Sequence, residues 1–415
     1  MQTKTNKDEL KQQILYWMCA GFVYSMLFWT YLNSLLAILI SVYWLFFLKK
    51  KFIPSSKRSG MIILFTSLFL LALAGLTYTS NMKEGIAIVQ KQSALLFFPL
   101  IFGTCSVLTP LSVKKLTNHF LIATVLACMI GLVIGLYNLV ITEEIAAITG
   151  RGILVFHAFN PIIMGLYCLF ALVIIFTGDN SSQTKTGKWL LVITVVLSVF
   201  IFLLSIRTII FCWLLLMLFF LWKKIKSQTT RFAMITGLAV LTVITGFTIT
   251  PLKKQWSELF DFSGRTSIVL DADSSLIRPW RGKAIRVAIW KCSGDIIKRH
   301  WLTGVGTGDV QDSLQQAYED RKFYFASRYN KYNAHNQYLQ SAIGHGIGGS
   351  FLFALCIAIP LYQNRRNSSN NIYILFLALF AITAVTESVL EINKGIVLYS
   401  FFNSIFAFTN FNNNS

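Results

Sequence analysis

Charge is scarce in this chain. Only 13% of its 415 residues are charged, about half the roughly 25% of a soluble domain. Acidic residues are the scarcer kind, 17 against 37 lysines and arginines. A chain that is also 55% hydrophobic, with repeated apolar runs of about 17–22 residues, is built to sit in a bilayer rather than to fold around a soluble core. The seven cysteines include no pair with ligand or disulfide spacing, which argues against a zinc site and a disulfide framework. Gly304-x-Gly-x-Gly308 is not followed by Gly-Lys-Ser/Thr and is not preceded by a strand pattern, which excludes a Walker loop. Asp271-Ala-Asp273 is too short a pattern to define a metal site, so neither a metal nor a cofactor is expected. The net charge of +20 would suit nucleic acid, but no basic-aromatic module accompanies it. Lysine and arginine on cytoplasmic loops account for it more simply.

Apolar spans fall at about 14–31, 34–48, 60–79, 93–110, 118–141, 157–177, 189–205, 208–222, 232–250, 338–362, 371–389 and 395–410. The sequence therefore predicts an all-α polytopic membrane protein of about twelve transmembrane helices. The fourth span should be broken at Pro99. Three regions follow: 1–250 with spans one to nine, a loop 251–337, and 338–415 with spans ten to twelve. The even-numbered gaps carry Lys49, Lys50, Lys51, Lys57, Arg58, Lys114, Lys115, Lys185, Lys188, Lys223, Lys224, Lys226, Arg231, Arg365 and Arg366. The odd gaps hold few basic residues, among them Lys83, Arg151, Arg207 and Lys394. This alternation predicts cytoplasmic termini, with the polar segment MQTKTNKDELKQQ as a cytoplasmic lead-in, and an external 251–337 loop.

The loop holds the polar chemistry. Residues 282–300 have helical spacing, with Ile285, Ile289, Cys292, Ile296 and Ile297 on one side. Asp309 is placed to cap a helix over about 310–322. Arg286 and Trp290 are one helical turn apart. The glycine cluster 304–308 reads as a tight turn able to lend backbone N–H groups to an anion. His335 and Asn336 are followed by nine residues and then Gly346-x-x-Gly349. His335 should start a helix, where the dipole favours the neutral imidazole needed in a general base. Asn336 can orient a sugar hydroxyl, and the two glycines allow close helix packing in lipid. Arg207 lies in LLSIRTIIF, at the external turn between the seventh and eighth spans. Snorkelling would explain it blandly, and so would a cation–π pair for Arg286. The functional alternative is that both guanidinium groups grip phosphate with their planar forks. Arg281, His157 and Arg151 are further candidates.

The arrangement resembles the O-antigen ligase and polymerase superfamily of bacterial envelope enzymes. The likeness rests on the span count, the loop between spans nine and ten, Arg207, an R-x-x-x-L-like element in which Trp290 follows Arg286 in the leucine place, and His335-Asn336-x9-Gly346-x-x-Gly349. Phe351 stands where the ligase pattern has Thr or Val, and Glu387 resembles a late acidic position. The resemblance implies an enzyme of the inner membrane with its site in a periplasmic loop. It would be a metal-independent inverting glycosyltransferase that moves a glycan from undecaprenyl diphosphate to a sugar hydroxyl of lipid A-core, an O-antigen ligase. Polymerase and protein O-oligosaccharyltransferase are alternatives with the same donor. A lipid-glycan transporter is the alternative of another class, and would place its polar residues near the membrane midplane.

Overall fold

A computed structural model describes residues 2–48, 55–105, 108–150, 153, 160–178, 185–224, 227–230, 236–237, 282–365 and 371–410. Among them there is helix and no strand. In chain order the helices are α1 (Gln2–Phe28), α2 (Thr30–Tyr43), α3 (Ser56–Gly75), α4 (Met82–Gln92), α5 (Ala94–Thr104), α6 (Pro110–Thr142), α7 (Pro161–Thr177), α8 (Lys185–Leu204), α9 (Arg207–Lys224), α10 (Gly282–Arg299), α11 (Val310–Asp320), α12 (Gln337–Asn364), α13 (Asn371–Thr386) and α14 (Asn393–Asn410). Among the described residues, five helical segments are long and apolar enough to cross a membrane, and α7, α13 and most of α8 are shorter apolar helices. The chain is a multi-pass helical membrane protein. Nearly all of the expected ninth span, 232–250, and the loop residues 251–281 lie outside the described residues.

Local signals set several boundaries. Thr109 accepts the Ser112 N–H at 3.1 Å and Pro110 opens α6. Asn160 accepts the Ile162 N–H at 2.8 Å and Pro161 opens α7. Both pair a polar N-cap with a proline whose missing N–H has no helical partner to lose. The expected break at Pro99 falls instead at Ser93, between α4 and α5, with Pro99 inside α5. Pro99 is carried inside α5, and at the junction Leu96 N and Phe97 N both donate to Ser93 O, at 3.0 Å and 3.1 Å.

Helix α7 is buried continuously from Ile163 to Ile175, as expected of an apolar helix surrounded by others. It packs against α6, α8, α9 and α13, while α14 packs against α5, α6 and α13. Between them Phe402 lies edge-on to Phe120 at 5.1 Å and to Phe170 at 4.9 Å. Lipid gives helices no hydrophobic reason to associate, so such shape-specific contacts hold the bundle.

Two buried cations close helix ends. Arg58 donates to the carbonyls of Phe102 at 2.9 Å and Gly103 at 2.7 Å, at the end of α5. Lys394 donates to Met26 O at 3.0 Å and Leu27 O at 3.4 Å, at the end of α1. Each meets carbonyls that have no partner within their helix and sits at the negative end of its dipole. Lys394→Met would leave those α1 carbonyls buried without this donor. A loss of about 1–3 kcal/mol is expected, read as a lower unfolding midpoint in detergent. An unchanged midpoint would mean that the cap contributes nothing.

Outside the bundle, Ala288, Ile289, Cys292 and Ile296 of α10 form a separate apolar cluster with Leu314, Ala317 and Tyr318 of α11, Phe323, Ala334 and Ile343. Ile285 and Ile297 pack against it, in keeping with the helical face expected for 282–300. Arg321 and Asp295 join the two loop helices in an ion pair. The cluster reaches Ile343, so the loop core runs past residue 337 into the first turns of α12.

Candidate active site

Four polypeptide stretches meet at one end of the bundle: the start of α9, the body of α10, the approach to α12 and the segment after α13. The approach to α12 is fastened from several directions. The Trp290 indole N–H donates to Ala334 O at 3.2 Å, and the Ala334 N–H donates to Gln340 Oε1 at 3.1 Å. Asn336 is the N-cap of α12, its side-chain oxygen accepting from Tyr338 N at 2.9 Å and Leu339 N at 3.1 Å. Its own N–H donates to Ser388 Oγ at 3.3 Å, and the Leu390 N–H donates to Gln337 Oε1 at 2.7 Å. Residues 334–340 are thereby sewn to 387–390.

His335 lies one residue before this cap, at φ +44°, a left-handed conformation that is strained for a side-chain-bearing residue. Its N–H donates to Asn333 Oδ1 at 3.0 Å. Strain of this kind costs on the order of 1–3 kcal/mol and gathers where a side chain must be aimed. The His335 Nδ1 stands 3.3 Å from Glu387 Oε1. The imidazole side chain is 27% exposed and the carboxylate side chain 4%, so the acid lies behind the ring. With the Nδ1 proton turned to Glu387, Nε2 keeps its lone pair and can accept a proton. His335 therefore precedes α12 rather than beginning it, and the field at its ring includes a carboxylate as well as a helix terminus.

Arg286 lies on α10 and is half-buried. Burial lowers its pKa from the usual arginine value, the Glu387 carboxylate opposes that shift, and the positive charge of Arg207 adds to it. The three charges therefore act on one another. Arg207 is the first residue of α9, where the helix dipole disfavours a cation. The turn before it has Ser205 at φ +57°. Among the described residues, the site thus brings two guanidinium groups and one carboxylate near an imidazole. The excess positive charge suits an anionic group.

Other expected residues have different surroundings. The Asn336 side-chain oxygen is committed to the cap, which leaves its amide group as the part able to meet a hydroxyl. Gly346 has φ +70° at a kink shared with His345. A Cβ there would run into the Leu302 carbonyl, and one on Gly349 would meet His345 and Ser341. Gly346 therefore admits the backbone of the 301–302 loop rather than a neighbouring helix. The glycine turn does not lend its N–H groups to an anion. The N–H groups of Val305 and Gly306 donate to Ile343 O at 2.9 Å and Gly344 O at 3.0 Å, carbonyls on the N-terminal side of the kink. Gly308 N donates to Thr79 Oγ1 at 2.9 Å. The turn is a splint for α12. Asp309 precedes α11 without capping it through its side chain. It accepts from Ser80 N at 2.6 Å and Asn81 N at 2.7 Å, just before α4. Arg281, His157 and Arg151 lie outside the described residues.

Sequence reasoning did not single out Asn333 or Ser388 as parts of the site. It marked Glu387 only as a late acidic position. Its signal was a carboxylate near the end of an apolar span, a placement costly enough to require a partner.

Residues 189–354 match the family model of the O-antigen ligases. The matched stretch runs from α8 through the loop helices into α12, and so contains Arg207, Arg286, His335 and Gly346. The match covers part of the chain and supports its likeness to the O-antigen ligase superfamily. No curated protein matches the chain.

Proposed function

We propose that the chain is a metal-independent, inverting glycosyltransferase of the inner membrane, acting as an O-antigen ligase at the periplasmic face. Its donor is a glycan on undecaprenyl diphosphate and its acceptor a sugar hydroxyl of lipid A-core. The reading rests on the His335–Glu387 contact, with Arg286 on α10 within electrostatic reach of Glu387 and Arg207. The diphosphate is an activated leaving group, so the enzyme need only hold the reactants, remove a proton and stabilise departing charge. The acceptor oxygen attacks the anomeric carbon as the bond from that carbon to the diphosphate oxygen breaks. The electron pair leaves with the diphosphate, where the two guanidinium groups meet the developing charge. His335 Nε2 takes the hydroxyl proton, and Glu387 holds the ring and stabilises the imidazolium that forms. In-line attack inverts the anomeric centre.

The glycan profile of a deletion strain tests the acceptor. Ligase action predicts that complete glycan accumulates on the lipid carrier and is missing from lipopolysaccharide. Single repeats on the core would instead assign the chain to polymerisation.

Topology gives an independent check. Single cysteines at positions 186, 227 and 366 should resist an impermeant thiol reagent in intact spheroplasts, and one at Lys322 should react. Labelling at position 227 would overturn the external assignment of the loop. Transfer should also persist in excess chelator, and Asp271→Ala with Asp273→Ala should keep most of the activity. A loss restored by a divalent cation would contradict the metal-free chemistry.

A further inference from the structure

The kink in α12 falls where its more polar first turns give way to an apolar segment, and what sits against it is apolar. Helix α12 has 28 residues, about 42 Å at 1.5 Å per residue, longer than the roughly 30 Å hydrocarbon core. The segment Ile347–Asn364 alone is about 27 Å long, and it begins immediately after Gly346. The preceding stretch, QYLQSAIGH, is more polar and carries Ile343 into the loop's own core. The bilayer therefore ends near the kink. At that level the loop turn 301–302 is pressed onto the helix: the Ile347 N–H donates to Trp301 O at 2.8 Å, and Gly346 leaves room for the Leu302 carbonyl. The backbone faces the helix, yet the Trp301 and Leu302 side chains are each more than half exposed, as are Ile347 and Phe351.

We infer that Trp301 and Leu302 insert into the outer leaflet at its interface, continuing the lipid-facing surface of α12 formed by Ile347 and Phe351. The occupant of this surface is lipid because it continues the exposed side of a membrane-spanning helix. Tryptophan is suited to that depth, with an apolar ring for the acyl boundary and an N–H for the headgroups. The turn follows directly on α10, whose last residue is Arg299. The anchor therefore ties the helix bearing Arg286 to the bilayer surface. That the leaflet is the outer one rests on the external loop placement proposed above; the lipid contact itself does not.

A spin label on Leu302→Cys, in protein reconstituted into phosphatidylethanolamine–phosphatidylglycerol vesicles, tests it. The native cysteines among the described residues are buried, and labelled wild-type protein supplies the blank. The label should collide more with oxygen, which concentrates in lipid, than with a water-soluble nickel chelate. A label on exposed Lys322→Cys should show the reverse. In dibrominated phosphatidylcholine vesicles, wild-type fluorescence should be quenched more than that of Trp301→Phe. Nickel access at position 302 equal to that at 322 would show a water-facing turn and overturn the inference. Access to neither agent, with no quenching difference, would show a protein-covered surface and overturn it too.

Discussion

His335→Ala is expected to abolish glycan transfer while the protein still inserts and still binds its lipid-linked donor. A positioned general base contributes about 10²–10⁴ in rate, so the deficit should lie in turnover rather than in donor affinity. His335→Gln is the sharper variant. It keeps a polar group near the acceptor but cannot take a proton, and should be nearly as impaired. Glu387→Gln should also lose activity, since a carboxamide cannot stabilise the imidazolium by charge. The backbone adds a control: position 335 has φ +44°, so Asn, which tolerates that conformation, should insert and fold at least as well as Ala and still fail to transfer. Wild-type turnover in the glutamine variant would make His335 a positioning residue. Loss of donor binding in the alanine variant would break the division of labour between histidine and arginines.

Arg286→Ala and Arg207→Ala are expected to reduce transfer by about 10²–10³, the cost of roughly 2–4 kcal/mol for a charge-assisted contact made as the diphosphate departs. Lysine restores charge without the planar fork, so Arg286→Lys and Arg207→Lys should recover part of the loss and no more. Donor binding should weaken in these variants, unlike those at His335. If Arg286→Ala transfers at the wild-type rate with normal protein levels, another cation of the loop holds the diphosphate, with Arg281 the first to replace.

Much of the architecture was legible because lipid is a demanding solvent. Apolar runs of spanning length mark the helices, but the expected fifth and sixth spans begin at about 118 and 157, whereas the Thr109-Pro110 and Asn160-Pro161 caps start α6 and α7 at Pro110 and Pro161. The face of α10 was equally readable, since a single stripe of Ile289, Cys292 and Ile296 can be buried only one way. Contacts between distant segments were not readable. Nothing in the spacing of Gly304, Gly306 and Gly308 says that their turn supplies N–H groups to carbonyls at the α12 kink. Nor could the local pattern around Asp309 reveal that its carboxylate serves Ser80 and Asn81. The candidate site divides in the same way. Arg207, Arg286 and His335 stand out singly, by charge in apolar surroundings or by motif. Their meeting depends on a tertiary fact, the fastening of 334–340 to 387–390, which also brings in Glu387.

The most direct measurement is single-turnover transfer by purified wild-type protein and by His335→Gln, using a synthetic polyprenyl-diphosphate glycan and lipid A-core acceptor in the presence of chelator. Mass spectrometry would follow glycosylated acceptor and released polyprenyl diphosphate, with donor binding measured on the same preparations. The account predicts stoichiometric release and transfer by wild type, and a His335→Gln variant that binds donor equally well but forms product at least about 10² more slowly. Equal single-turnover rates for the two proteins, or wild-type binding of donor without any transfer to a hydroxyl acceptor, would contradict it.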